Sequence, residues 1–364
     1  MREIVHVLRE VFADHGGDSR RRVIALYAVL LALNVGAWIW ALVAFAGNAV
    51  LLGAAFLAYT FGLRHAFDAD HIASIDSVTR KLMQRNARPM TVGLHFALGH
   101  SLALFAFVAA IAAFRQWGPQ SGGFGVIAGS AGLASTFVSV TFLLVMAALN
   151  LSIASSTYRT FRRVRAGGTY VEEDFDVLLN KRGIFSRIFR PLFRLVNKAW
   201  HMIFLGLLFG LGFDTATEVS LLGMAGAEAA RGLSVWLILA FPALFAAGMA
   251  LMDTTDSVLM VRAYGWALRN PIRKLYYNMT ITVVSAVVAL AVAGIEALAF
   301  MSEQFSIQGE FWSWVNAINE HWEAMGVFVL TLFLSIWLAS MLVYRARRYQ
   351  EAELAVVPVG KTDD

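Results

Sequence analysis

No cysteine occurs in the 364 residues. Disulfides, thiolate-bound metals and cysteine nucleophiles are thereby excluded. So is the soft ligand set of a copper(I) or zinc-thiolate site. Charge is also scarce. Asp, Glu, Lys and Arg make up 15% of the chain, against about 25% in soluble domains. No His-Glu-x-x-His run and no array of histidine boxes is present, which weighs against a membrane metalloenzyme. Gly360-Lys361-Thr362 resembles the end of a phosphate loop, but Ala355 stands where its first glycine belongs, so no nucleotide site is expected. The first twenty residues lack the apolar core of a signal peptide. What the chain has in excess is apolar surface, with 59% hydrophobic residues and a mean hydropathy of +0.63. That composition predicts an all-α polytopic membrane protein, because an apolar segment in lipid must satisfy its own backbone.

Eight apolar stretches stand out. They are 23–45, 49 to the early seventies, 91–114, 127–154, two that start near 200 and 233, 275–300 and 324–344. A hydrocarbon core about 30 Å thick needs roughly twenty apolar residues. The expected organisation is an amphipathic arm at 1–22, transmembrane helices 1–4 over 23–154 and a charged loop at 155–200. Helices 5–8 over 201–344 and a tail at 345–364 complete it. Threading eight spans with both termini cytoplasmic puts 27 of the 30 Lys and Arg inside and only Arg115 and Arg231 outside, with Arg64 inside a motif. That bias is the positive-inside pattern of a cytoplasmic (inner) membrane protein. It also accounts for the net charge of +5 without nucleic acid as a partner. A faint echo links Asp76-Ser77-Val78 to Asp256-Ser257-Val258 and allows a parallel four-helix repeat.

The densest chemistry is Arg64-His65-Ala66-Phe67-Asp68-Ala69-Asp70-His71-Ile72. Ionisable groups at membrane depth survive where they pair, bind an ion or line a polar path. Imidazole with carboxylate suits a divalent transition metal. On a regular helix His65, Asp68 and His71 share an arc of about 120°, while Asp70 falls nearly opposite Asp68. Either Asp70 then holds Arg64 or a supporting proton, or the helix unwinds here and recruits it. His100 lies near mid-membrane in the third span, with His95 one turn nearer the cytoplasm. The fifth span holds Asp214, Thr215, Thr217 and Glu218, and the sixth Asp253, Thr254 and Asp256. Paired carboxylates in apolar spans repel unless a cation or proton lies between them. These groups are expected to line a path for a dication or to support its ligands.

Four segments resemble the nickel/cobalt permeases. They are the nine residues from Arg64 to Ile72, Leu98-Gly99-His100-Ser101, the run from Leu211 to Glu218, and the run from Gly248 to Asp256. Asn34 before Gly36-Ala37-Trp38 fits as well. Two positions depart from the family's usual pattern: Leu102-Ala103-Leu104 after the third-span motif, and His95 where an aromatic residue is usual. Both bear on metal preference. The resemblance implies an eight-span uptake permease that moves Ni2+ and/or Co2+ as substrate, with no permanent cofactor. It implies that His65, Asp70 and His71 form the core of the metal site and that Asn34 helps set preference. The metal-ligand candidates are therefore His65, Asp68, Asp70, His71 and His100. An efflux permease is the nearest alternative. Exporters of the wider group often carry a His-rich loop, and residues 155–200 contain no histidine. A metal sensor would bind the ion without moving it.

Overall fold

The computed structural model describes residues 17–84, 89–113, 122–165, 196–212, 216–267 and 271–346. Every regular element among them is helical. In order they are α1 (Gly17–Ala44), α2 (Ala49–His65), α3 (Ala69–Gln84), α4 (Val92–Ala113), α5 (Gly122–Arg165), α6 (Met202–Phe209), α7 (Ala216–Ala230), α8 (Val235–Ile238), α9 (Ala240–Ala267), α10 (Pro271–Gln304), α11 (Glu310–Glu320) and α12 (Trp322–Ala346). A 3-10 turn, Ala199–His201, leads into α6. α5 continues as helix to Arg165, into the charged segment expected as a loop.

Among the described residues four helices are long and apolar enough to cross a membrane: Arg20–Ala44, Val92–Ala112, Val235–Ala263 and Thr282–Gln304. The bent pair Ala49–His65 and Ala69–Met83 makes a fifth. Three shorter apolar helices, Thr136–Ser152, Ala199–Phe209 and Ala324–Ile336, accompany them. Large apolar side chains such as Leu31, Val43, Val50, Phe137 and Phe204 point outward. Lipid is the solvent that tolerates such an exterior. The protein is thus a multi-pass membrane protein.

α9 is the hub, packed against α1, α2, α3 and α4. Glycine lets the backbones close. A Cβ on Gly62 would overlap the Phe245 backbone, and one on Gly248 would lie 2.8 Å from the Tyr59 carbonyl. α4 and α6 meet the same way through Gly99 and Gly206. Small residues at helix crossings are how membrane helices gain packing contact without a hydrophobic driving force.

The second span is not continuous. α2 and α3 meet at a 51° bend. At the break Phe67 N–H bonds to the Arg64 carbonyl and Asp68 N–H to the His65 carbonyl, at 3.0 and 2.9 Å, both tighter i to i−3 turns. α3 then starts with Ile72 N–H on the Asp68 carbonyl at 3.2 Å. The Phe67 carbonyl is seated against Gly326 of α12, where a Cβ would overlap it. An interrupted helix at membrane depth is tolerated where neighbouring protein covers the freed backbone.

Candidate metal centre

The bend sets up the site. His65 is the last residue of α2, His71 lies in the first turn of α3, and α4 brings His100 alongside. The three ring centroids form a near-equilateral triangle, at 4.7 Å (His65–His71), 4.9 Å (His65–His100) and 4.9 Å (His71–His100). One ring nitrogen from each lies within 4.8 Å of the others. His65 Nε2 and His100 Nε2 are 3.0 Å apart. With metal–imidazole bonds of about 2.0–2.1 Å, two nitrogens at right angles on one ion stand about 3.0 Å apart.

Oxygen groups surround the triangle. Asp68 Oδ2 is 2.7 Å from His65 Nδ1, and the Thr217 hydroxyl is 3.3 Å from that same nitrogen. Glu218 Oε1 lies 2.9 Å from His100 Nε2 and 3.9 Å from His65 Nε2. Both Asp253 oxygens lie 3.4 Å from His71 Nδ1. On His65 and His71 the carboxylate lies at Nδ1, which fixes the tautomer and aims Nε2, as around many metal-ligating histidines. His71 Nε2 is buried and has no hydrogen-bond partner among the described residues. A buried polar atom in that state points to an ion or water it was built to meet.

The surroundings are dry. The three histidines, Asp68, Glu218 and Asp253 are each at most 3% exposed. Phe96 packs edge-on to His71 at 4.7 Å, and Phe245 lies 5.4 Å from His65. Gly93 of α4 touches the Asp253 backbone too closely for any Cβ, and its N–H bonds to Ser257 Oγ at 2.7 Å. Gly210 is also packed tightly against the His100 backbone. A dication moved out of water needs nearby negative charge, which Asp68, Glu218 and Asp253 supply. Three imidazoles with carboxylates form a borderline N/O set, suited to nickel, cobalt, copper or zinc rather than to magnesium or calcium.

Comparison with known proteins agrees with this chemistry. The family model for the high-affinity nickel-transport protein matches residues 51–343. The chain belongs to the high-affinity nickel-transport family. It is 53% identical over 359 residues to the high-affinity nickel transport protein of Cupriavidus necator, covering 96% of this chain and 99% of that one. It is 49% identical over 320 residues to the hydrogenase nickel incorporation protein HupN of Bradyrhizobium diazoefficiens, covering 88% and 83%. It is also 38% identical over 335 residues to the cobalt transport protein NhlF of Rhodococcus rhodochrous, covering 89% and 92%. No solved structure matches.

In this member of the family the other candidate residues are spread out. Asp70 is half-buried, and its carboxylate accepts the His71 backbone N–H at 2.9 Å. The helix is interrupted within the motif, and a bond that Asp70 makes there is to the backbone. His95 turns its Nδ1 to the carbonyl of Thr91, just before α4, at 2.6 Å. Thr254 donates to the Ala250 carbonyl at 2.5 Å, within α9. Asp256 lies one turn beyond Asp253. Asn34 donates to the Ala247 carbonyl at 3.2 Å and accepts from the Tyr59 hydroxyl at 2.9 Å, joining α1 to α9 and α2. Asp214 and Thr215 lie outside the described residues. Residue types alone do not single out Tyr59, because a tyrosine in an apolar span carries no motif. Nor do they mark Asp76 and Arg80 as functional, although both are at most 3% exposed. Only the Asp-Ser-Val echo points toward Asp76.

Proposed function

We propose that this nickel-transport chain imports Ni2+ or Co2+ across the cytoplasmic (inner) membrane, with His65, His71 and His100 as the ion's nitrogen ligands. The convergence of the three imidazoles on one buried point, with one ring nitrogen of each within 4.8 Å of the rest, is the observation that carries the reading. On this reading the ion exchanges water for imidazole at the triangle. Glu218 and Asp253 offset its charge, and Asp68 and Asp253 hold the rings of His65 and His71 in aim. Ligation needs neutral imidazole, so the carboxylates rather than the rings carry the compensating charge.

Eight spans follow if the three shorter apolar helices are counted with the four long ones and the bent pair. Both termini then face the cytoplasm, with 27 of 30 basic side chains on that side. Import is favoured over efflux because residues 155–200 offer no histidine to collect metal inside. An inside-negative potential also draws a dication inward by about 4.6 kcal/mol per 100 mV, twice the single-charge figure. With no nucleotide motif in the chain, that potential or a coupled ion drives transport.

The test is radiolabelled Ni2+ uptake by cells expressing the wild-type chain or His71→Ala, with the potential intact or collapsed. Wild-type cells accumulate label, His71→Ala cells do not, and collapsing the potential slows entry. Normal accumulation by His71→Ala would defeat the site. Loss of label from preloaded wild-type cells faster than from empty-vector cells would reverse the direction.

A further inference from the structure

Glu296 is an acid in the middle of a membrane span. By helix rise it lies about 21 Å past Thr282 and about 12 Å before Gln304, the two ends of the apolar stretch of α10. It is 9% exposed, and Ser139 of α5 donates to its Oε2 at 2.8 Å. Ionisable groups at this depth are costly, and they mark ion pathways or proton relays. A structural ion pair is a poor account of this one. No Lys or Arg occurs between 116 and 158 or between 275 and 344. α5, α11 and α12 pack on α10 and therefore offer no cation at that depth. α3 and α9 carry Arg80, Lys81 and Arg262, but toward the ends that adjoin the start of α10, far from Glu296. The other titratable groups on these helices lie to either side of it. Glu303, Glu310, Glu320, His321 and Glu323 cluster where α10 ends and α11 and α12 begin. Asp70, His71 and Asp76 of α3 and Asp253 and Asp256 of α9 lie at the triangle or on its far side.

Glu296 has polar surroundings on both sides along the membrane normal. On the eight-span threading α10 ends outside. A pocket of about 410 Å3 opens there, lined by Ala299, Ser302, Glu303, Asn316 and Glu320 among others. Ala299 is one turn past Glu296, so the carboxyl lies a turn beneath that pocket. In the other direction the same threading runs α5 opposite to α10. The register of the Ser139–Glu296 bond then sets Asn150 of α5 against Ser285 of α10. Each is eleven residues, three turns, toward the cytoplasm on the same helix face. Both are at most 4% exposed, and Asn150 Nδ2 and Ser285 Oγ have no hydrogen-bond partner among the described residues. Buried polar atoms in that state point to water held between the two helices.

We propose that Glu296, held by Ser139, is a proton site separate from the histidine triangle, and that the proton it takes from the outer pocket travels inward with the metal. The proposal rests on the transport reading above and names its coupling ion. The metal is not the occupant. Among the described residues the group of three or more His or acidic side chains able to hold one is the triangle. A proton needs a single carboxylate oxygen. It binds there from the pocket and leaves on the cytoplasmic side, past Asn150 and Ser285. The link to the triangle is α3, whose first turn carries His71 and on which α5 and α10 both pack. A protonated carboxyl is tolerated in an apolar seam, whereas the carboxylate needs water or a counter-charge. Loading and release of the proton therefore favour different packings of the α5–α10 pair, and α3 carries the difference to His71.

The experiment uses the full-length chain, purified and reconstituted in vesicles with the membrane potential clamped. The outside pH is held fixed, so that the metal and its ligands meet the same solution, and the interior is made one pH unit more alkaline. Wild-type accumulation of radiolabelled Ni2+ should rise toward about tenfold, the limit for one proton moved per ion across one pH unit. Glu296→Gln keeps the shape and an oxygen for Ser139 but cannot carry the proton. It should bind Ni2+ at equilibrium within about twofold of wild type, which shows that it is folded, and accumulate the same amount with or without the pH step. Glu296→Asp should regain part of the response. A wild-type response to the pH step in Glu296→Gln would overturn the site. So would loss of its equilibrium binding, by making the carboxyl a support of the triangle. Wild-type accumulation that answers to a Na+ step and not to the pH step would overturn the proton as the ligand. Absence of any Ni2+ uptake by wild-type vesicles, with or without a potential, would instead defeat the transport reading, which is a separate failure.

Discussion

The two halves of the chain bring different chemistry to the same point. The first half supplies nitrogen, with His65, His71 and His100 on α2, α3 and α4. The second half supplies oxygen, with Thr217 and Glu218 on α7 and Asp253 on α9. Asp68 is the exception among the groups on the rings, and it bonds to His65. The difference separates two tasks. Imidazole nitrogen discriminates among dications, since magnesium and calcium prefer oxygen and nickel and cobalt do not. Carboxylates discriminate little among them, but they make any dication tolerable in a dry interior. On the proposed reading, nitrogen decides which ion enters and oxygen decides whether an ion of charge two can stay.

Exchanging one chemistry for the other breaks that division most severely. His100→Asp removes a nitrogen and leaves an oxygen. Ni2+ uptake should fall by about a hundredfold, the upper range for lost metal-site support, and Mn2+ should become a better competitor relative to Co2+. Competition uptake with the three ions reads both effects. An unchanged order of competition would show that the imidazoles do not set preference. Glu218→Gln tests the other task, because it keeps the shape and removes the charge beside His100. Uptake of Ni2+ and Co2+ should drop together by about tenfold, with their ratio unchanged. A large change in the ratio alone would assign Glu218 to selection instead.

Much of the triangle is legible from residue types. Two imidazoles six residues apart, beside two acids in an apolar span, announce a site by kind and spacing alone. The helical wheel also registers a conflict, since Asp70 cannot face the same ion as Asp68 on a regular helix. The bend at residues 66–68 breaks that regular helix, so the angles of the wheel do not carry across it. The partners of the histidines are not legible. Glu218 is 118 residues from His100, and Asp253 is 182 from His71. Their pairing depends on how α4, α6 and α9 close through Gly93, Gly99 and Gly206. Glycine contacts of that kind specify distance without specifying which helix is the neighbour. Asp76 and Arg80 read as ordinary charges near a helix end, because their burial exists only once other helices surround α3.

The smallest expected effect lies farthest from the imidazoles and sharpens the role of Asn34. Its side chain ties α1 to the Ala247 carbonyl of α9 and to Tyr59 of α2. Ala247 neighbours Gly248, which packs on Tyr59 and Leu63, and lies two residues from Phe245 beside His65. Asn34 therefore bears on the triangle through the spacing of α2 and α9, without touching it. Tyr59→Phe removes the hydroxyl and keeps the ring against Trp38, 5.3 Å away. A lost hydrogen bond is worth about 0.5–1.5 kcal/mol, so the ratio of Ni2+ to Co2+ uptake should move by about threefold. The pairing of Glu218 with His100 lies on other helices, so the response to Glu218→Gln should be the same in either background. If Tyr59→Phe leaves the ratio untouched, Asn34 is a fastener of helices and preference is set wholly by the nitrogens.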